Sequence, residues 1–138
     1  VKKSFVLDAS ALIAFLGDER GAEKVEEILR KAGENKIFLY MNKINVLEVY
    51  YGVYREDGKK KAEETLLKIQ GLPIKITDIL SGDIFKEAGR FKAKYKISLA
   101  DSIAIADAKT KDAFLITADH HEFDIIDRKR EAELYWIR

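Results

Sequence analysis

Four carboxylates stand out by what surrounds them. Asp8 ends the apolar run Phe5-Val6-Leu7, and Asp119 follows Ala113-Phe114-Leu115-Ile116-Thr117-Ala118. Glu48 is set among mostly apolar neighbours in Ile44-Asn45-Val46-Leu47-Glu48-Val49, and Asp101 lies in Ser98-Leu99-Ala100-Asp101-Ser102. Brought into one small volume, four ionised carboxylates repel strongly, and such a cluster persists only if cations neutralise it. Oxygen donors of this kind favour hard divalent ions, Mg²⁺ or Mn²⁺, which usually retain several waters. One or two such ions activate a water and stabilise charge developing on a phosphodiester. The implied chemistry is metal-assisted phosphodiester hydrolysis.

Each acid also has a purely structural explanation. Asp8 suits a helix N-cap, and Asp101 stands three residues after Ser98, at capping-box spacing. Asp119 suits an Asx-turn after a strand, and Glu48 could lie on a solvated helix face. Singly these explanations are good. Together they require an acid by coincidence at each place where a carboxylate cleft needs one.

The elements that must position these acids follow from the apolar pattern. Phe5–Leu7, Ile37–Met41, Ile74–Thr77, Ala113–Thr117 and Leu134–Ile137 read as strands. Between them fall helical segments: Ala9 to Leu16, Gly21 to Gly33, about 43 to 55 and Lys59 to Gln70. One further helix carries Ile84, Ala88, Phe91 and Tyr95, and another begins at Ser98. Continuous apolar strands alternating with helices imply a parallel sheet covered on both faces. The expected fold is a three-layer α/β/α sandwich with a four- to five-stranded parallel sheet. In such a sheet ligands bind outside the carboxyl ends of the strands, which is where Asp8 and Asp119 fall.

Composition narrows the alternatives. The 138 residues suit a single domain, residues 1–138. Cysteine is absent, which excludes disulfides, zinc–thiolate sites and thiol catalysis. The two histidines are adjacent, His120 and His121, and read as a surface loop or a substrate contact rather than metal ligands, since neighbouring loop residues rarely point at one ion. No apolar run approaches the roughly 20 residues that span a bilayer. The start, Val1-Lys2-Lys3-Ser4-Phe5-Val6-Leu7-Asp8, is too short in its apolar part for a signal peptide, so a cytoplasmic location is expected. The net charge of +1 neither announces nor excludes a nucleic-acid partner, because distribution matters more than the sum. Lys59-Lys60-Lys61 reads as a solvated helix start. Lys92, Lys94 and Lys96, with Arg128, Lys129 and Arg130, are better placed for the rim of an acidic cleft.

These residues resemble a known family. Phe5-Val6-Leu7-Asp8-Ala9-Ser10, Asn45-Val46-Leu47-Glu48-Val49, Leu99-Ala100-Asp101-Ser102-Ile103 and Leu115-Ile116-Thr117-Ala118-Asp119, with Phe123 beyond, occur in the order of the PIN domain. Among PIN proteins the chain is similar to the single-domain VapC toxins of prokaryotic toxin–antitoxin pairs. The resemblance covers essentially the whole sequence. It implies an Mg²⁺- or Mn²⁺-dependent endoribonuclease with Asp8, Glu48, Asp101 and Asp119 as catalytic, metal-binding residues. Ser10, Asn45 and Thr117 would support them, with Asp124 as a further supporting acid. It also implies an RNA substrate, a small antitoxin partner and a homodimer.

Two other readings compete. A phosphatase of the haloacid-dehalogenase type needs a second Asp two residues after Asp8, where Ser10 stands, and a receiver domain needs a pair of acids near the first strand. A catalytically silent PIN-like module, binding RNA or protein without cutting, usually lacks one or more of the acids. All four are present here.

Overall fold

The computed structural model describes residues 2–80 and 82–138. Five strands, β1 (Ser4–Leu7), β2 (Phe38–Asn42), β3 (Lys75–Thr77), β4 (Phe114–Thr117) and β5 (Leu134–Trp136), form one sheet in the order β3-β2-β1-β4-β5. Every pairing is parallel. The helices are α1 (Ala9–Leu16), α2 (Ala22–Gly33), α3 (Lys43–Asp57), α4 (Lys59–Gln70), α5 (Gly82–Lys94), α6 (Leu99–Thr110) and α7 (His120–Arg128).

Strand side chains alternate between two apolar layers, as the pleat requires. Phe5 and Leu7 of β1, with Ile116 of β4, pack into the layer that holds Leu12, Val25, Leu29, Val49 and Ile69 from α1 to α4. Val6 and Leu115 face the opposite layer, with Phe91 of α5, Ile105 of α6 and Phe123 and Ile126 of α7. The sheet is therefore buried on both sides, and its central strands read as unbroken apolar runs for that reason. Among the described residues no helix is long and apolar enough to cross a membrane.

One segment departs from the sequence expectation. Residues after Asp119 were expected to form a loop, and they form α7 instead. Asp119 caps this helix by accepting from the Glu122 N–H at 3.1 Å, and Phe123 and Ile126 are its fully buried face. Asp119 followed three residues later by Glu122 has capping-box spacing, and Phe123 with Ile126 makes an i, i+3 stripe. The two histidines thus begin a helix.

The sheet order fixes where a site can form. The chain leaves β1 toward β2 and β3, then returns to place β4 against the other side of β1. This reversal opens a crevice at the carboxyl ends of β1 and β4. Asp8 and Asp119 stand at those two ends.

The C-terminal strand is locked to the helical layer at Gly21, which caps α2 with φ at 95°. A Cβ there would lie 2.6 Å from the Ile137 carbonyl oxygen. Gly21→Ala therefore combines a disfavoured backbone region with a backbone clash, and is expected to cost more than about 1 kcal/mol. A chemical denaturation midpoint equal to that of the unchanged protein would contradict this.

Candidate active site

Asp8 is almost wholly buried, and its two oxygens live in different environments. Oδ1 accepts from the Ser10 hydroxyl and from the Ala11 N–H, both at 2.8 Å. Oδ2 is equally buried and has no donor among the described residues. Ser10 joins the ends of β1 and β4: its oxygen accepts from the Ala118 N–H at 3.0 Å and lies 3.3 Å from the Thr117 hydroxyl. Thr117 in turn accepts from the Asp119 N–H at 3.0 Å. The two supporting hydroxyls thereby couple Asp8 to Asp119.

Asp101 enters from α6. Ser98 caps that helix, its hydroxyl oxygen accepting from the Asp101 N–H at 3.1 Å. The carboxylate is left to the crevice. Asn45, fully buried on α3, donates to the Ala100 carbonyl oxygen at 3.1 Å and so fixes α3 against the start of α6. One turn along α3, Glu48 presents an oxygen, Oε1, that is buried without a partner.

The fifth acid was not foreseen. Glu122, in the first turn of α7, has carboxylate oxygens within 4.8 Å of those of Asp101 and Asp119, close enough for one ion to bridge all three. Its Oε2 is also buried with no partner. The capping-box spacing after Asp119 was the signal that could have found it. Asp124, by contrast, is exposed and pairs with His120 Nδ1 at 2.7 Å. His120 stacks on Trp136, with centroids 3.9 Å apart, and its Nε2 bonds the Arg138 carbonyl oxygen at 2.8 Å. Nε2 and the ring stack thus tie α7 to the C-terminal segment, while Nδ1 is held within α7 by Asp124.

The electrostatics follow from burial and like charge. The Asp8 carboxyl is pushed up to about 6, by burial first; the Thr117 and Ser10 hydroxyls and the Ala11 N–H oppose the shift, and Asp119 adds to it. Asp101 is pushed up to about 7, again by burial first, then by the charges of Asp8 and Glu48. Burial also raises Glu48, against the pull of the neighbouring Asn45 side chain.

Three helix N-termini, those of α1, α6 and α7, face this group of acids through Asp8, Asp101 and Asp119. Each favours a carboxylate by about 0.3–1 kcal/mol. Ionised pairs at 4.8 Å repel by about 3 kcal/mol at an effective dielectric constant near 20. The helix ends cannot offset several such pairs, whereas a divalent cation can. The donor set fits one: all oxygen, with buried oxygens on Asp8, Glu48 and Glu122 that have no partner among the described residues.

The match to the PIN domain family model runs over residues 5–129. The chain belongs to the PIN domain family. No curated relative matches it by sequence. Among solved structures, it is similar to VapBC2 from Rickettsia felis bound to a promoter DNA fragment, at 19% identity and a TM-score of 0.74, covering 96% of this chain and 97% of that one. DNA-bound VapBC from Salmonella typhimurium aligns over 100% of both chains, at 12% identity and a TM-score of 0.73. VapC20 from Mycobacterium tuberculosis, described as a sarcin–ricin loop cleaving toxin, aligns over 84% of this chain and 90% of that one, at 14% identity and a TM-score of 0.61. At these identities the likeness establishes a shared fold.

The raised carboxyls make a pH prediction. Folded Asp8 and Asp101 hold protons that the unfolded chain releases from 3.8 upward, so metal-free stability falls as pH rises from 3.8 to about 7. The loss across that window should be at most about 7 kcal/mol for the two carboxyls together. Unfolding curves in EDTA at pH 5 and pH 7 should show the decline. Asp8→Asn should flatten it, and saturating Mn²⁺ should raise the melting temperature most at pH 7. Flat or rising stability in EDTA would contradict the prediction.

Proposed function

We propose that this protein is a divalent-metal-dependent endoribonuclease, the toxin of a VapBC-type pair. The observation that carries this reading is the trio Asp101, Asp119 and Glu122, whose carboxylate oxygens lie within 4.8 Å of one another, beside Asp8 and Glu48, whose charges reach Asp101; Asp8, Glu48 and Glu122 each keep a buried oxygen without a partner among the described residues. A PIN fold supports it, since PIN domains are generally nucleases. The description of VapC20 as a sarcin–ricin loop cleaving toxin supports the substrate class.

Asp8, Glu48, Asp101 and Asp119, with Glu122, would hold Mg²⁺ or Mn²⁺. Bound there, the ion supplies charge neutralisation and water activation for attack on a phosphodiester. The protein's own part is orientation. Ser10 and the Ala11 N–H hold Oδ1 of Asp8 so that Oδ2 faces the crevice. Asn45 sets the spacing of α3 and α6, and hence of Glu48 and Asp101. Thr117 holds the turn that carries Asp119. Asp124 acts at one remove, orienting His120 against the C-terminal segment and so steadying α7. Water would attack phosphorus and give up a proton to the carboxylate cluster, while the bond to the ribose 3′-oxygen breaks and that oxygen takes a proton from solvent. The ends left are a 5′-phosphate and a 3′-hydroxyl.

The partners are a small antitoxin protein, as in the VapBC complexes that share this fold, and a second copy of the chain. An apolar band gives such contacts a place: Leu80, Phe85 and Leu99 are exposed by 48%, 63% and 62% and border adjoining hollows with Ile103.

Cleavage of a mixed structured and unstructured RNA pool tests the enzyme. Cutting should require Mg²⁺ or Mn²⁺, stop with EDTA, and fall more than about 100-fold in Asp8→Asn, Asp101→Asn and Glu122→Gln. Ser10→Ala should lose about 10- to 100-fold, as expected for a group that orients a ligand. Cyclic 2′,3′-phosphate ends would contradict the mechanism. Cutting retained in the Asp8 and Asp101 variants, or none at all, would leave a silent PIN module. Light scattering should give a dimer that Phe85→Lys converts to a monomer.

A further inference from the structure

The acid cluster opens at Glu122 into a groove of about 520 Å³ between the α5–α6 connection and α7. Its floor is apolar, formed by the nearly buried Tyr95 and Ile97 with Ile125. Its sides are cationic. Lys94 and Lys96 line one side and Lys129, at the end of α7, the other, with His121 near Glu122 in sequence and on the same lining.

These cations differ in how they are used. Lys94 donates to Glu131 at 2.9 Å, and its neighbours Arg90 and Lys109 also lie within ion-pair reach of Glu131. Lys92 donates to the Ile97 carbonyl oxygen at 2.7 Å. Lys96 and Lys129 are exposed, and neither makes an ion pair among the described residues. Two exposed lysines without ion pairs among the described residues therefore line one groove that Glu122, a residue of the candidate metal site, also lines. A substrate that reaches those acids must bring phosphates past them, and a polyanion approaching an acidic cluster needs cations close by to hold its flanking charges.

We propose that this groove is the track for the RNA backbone next to the cleaved bond, with Lys96 and Lys129 each holding one phosphate. The assignment rests on the ribonuclease reading and adds to it the path of the chain. Lysine suits the task because phosphate contacts position a nucleic acid without reading its sequence. The apolar floor of Ile97 and Ile125 offers a surface to the sugar and base faces of the same nucleotides. The groove therefore contributes affinity and register, and leaves the choice of sequence to other contacts.

Salt dependence tests this directly. Binding of a fluorescein-labelled 12-nucleotide oligouridine is followed by anisotropy in EDTA, which prevents cutting, across a range of salt concentrations. The slope of log K against log salt should fall in magnitude by about 1.4 in the double variant Lys96→Ala/Lys129→Ala, about 0.7 for each phosphate contact on a single strand. Binding at ~0.1 M salt should weaken about tenfold. The variant Lys59→Ala/Lys60→Ala removes the same charge from the start of α4, which does not line the groove, and should keep the slope of the unchanged protein. In Mg²⁺ or Mn²⁺, the groove variant should raise KM while kcat stays near its original value. Melting temperatures confirm that the variants are folded.

An unchanged slope and KM in the groove variant, with the parent protein cutting normally, would overturn the groove and leave the nuclease standing. A slope change confined to the α4 variant, or no binding by the parent protein, would also overturn it. A reduced slope in the groove variant with no cutting by any protein would sustain the groove and defeat the nuclease reading instead.

Discussion

Asp8 is held by one oxygen and left free by the other, and much of the structure depends on that asymmetry. Two donors fix Oδ1, one from Ser10 and one from the first turn of α1, while Oδ2 is buried with nothing to bond. A buried carboxylate in that condition is costly. It is tolerable only at a place where something else completes it. The central strand β1 puts it there, because the parallel sheet reverses beside it and β4 brings Asp119 to the adjoining edge. Ser10 and Thr117 then tie the two strand ends together, so the distance between the acids is set by hydrogen bonds as well as by strand pairing.

The same residues serve as helix caps and as site residues, and the two roles reinforce each other. Asp8 and Asp119 are the N-caps of α1 and α7, and Asp101 lies in the first turn of α6. Each cap uses one oxygen or the backbone alone, which leaves an oxygen for the crevice. The helix ends also lend partial positive charge to acids that would otherwise repel at full strength. The helix ends reduce that repulsion without cancelling it, and the remainder is what a divalent cation would offset.

Around the crevice, other polar contacts hold the elements that flank it. Glu131, kept at about 2 by the Tyr95 hydroxyl first and then by Lys94, with Arg90 also contributing, fastens α5 to the segment before β5. His120 stacked on Trp136 and bonded to the Arg138 carbonyl oxygen fastens α7 to the end of the chain. The groove beside Glu122 runs between these two fixed structures, so its cationic sides are carried by anchored elements although the lysines themselves are exposed.

Much of this was legible in the residues themselves. The apolar runs of β1 and β4 and the stripe of α2 are local periodicities, and the bounds of α1 and α4 match the expected segments because Gly17, Gly58 and Gly71 bracket them. Asp8, Glu48, Asp101 and Asp119 were visible because each breaks or ends an apolar pattern. α7 and Glu122 were missed: the first turn of α7 is polar, and its capping-box spacing competed with a loop interpretation of adjacent histidines. Sequence alone therefore determined the strands and all helices but α7, which rest on local periodicity, and pointed to a parallel sheet because its strands are apolar throughout and alternate with helices. Tertiary structure decided which carboxylate oxygens remain unpartnered, that Glu122 joins Asp101 and Asp119, and that Lys96 and Lys129 line one groove. Those are distances between residues far apart in sequence, set by the order of the strands and the packing of helices over them.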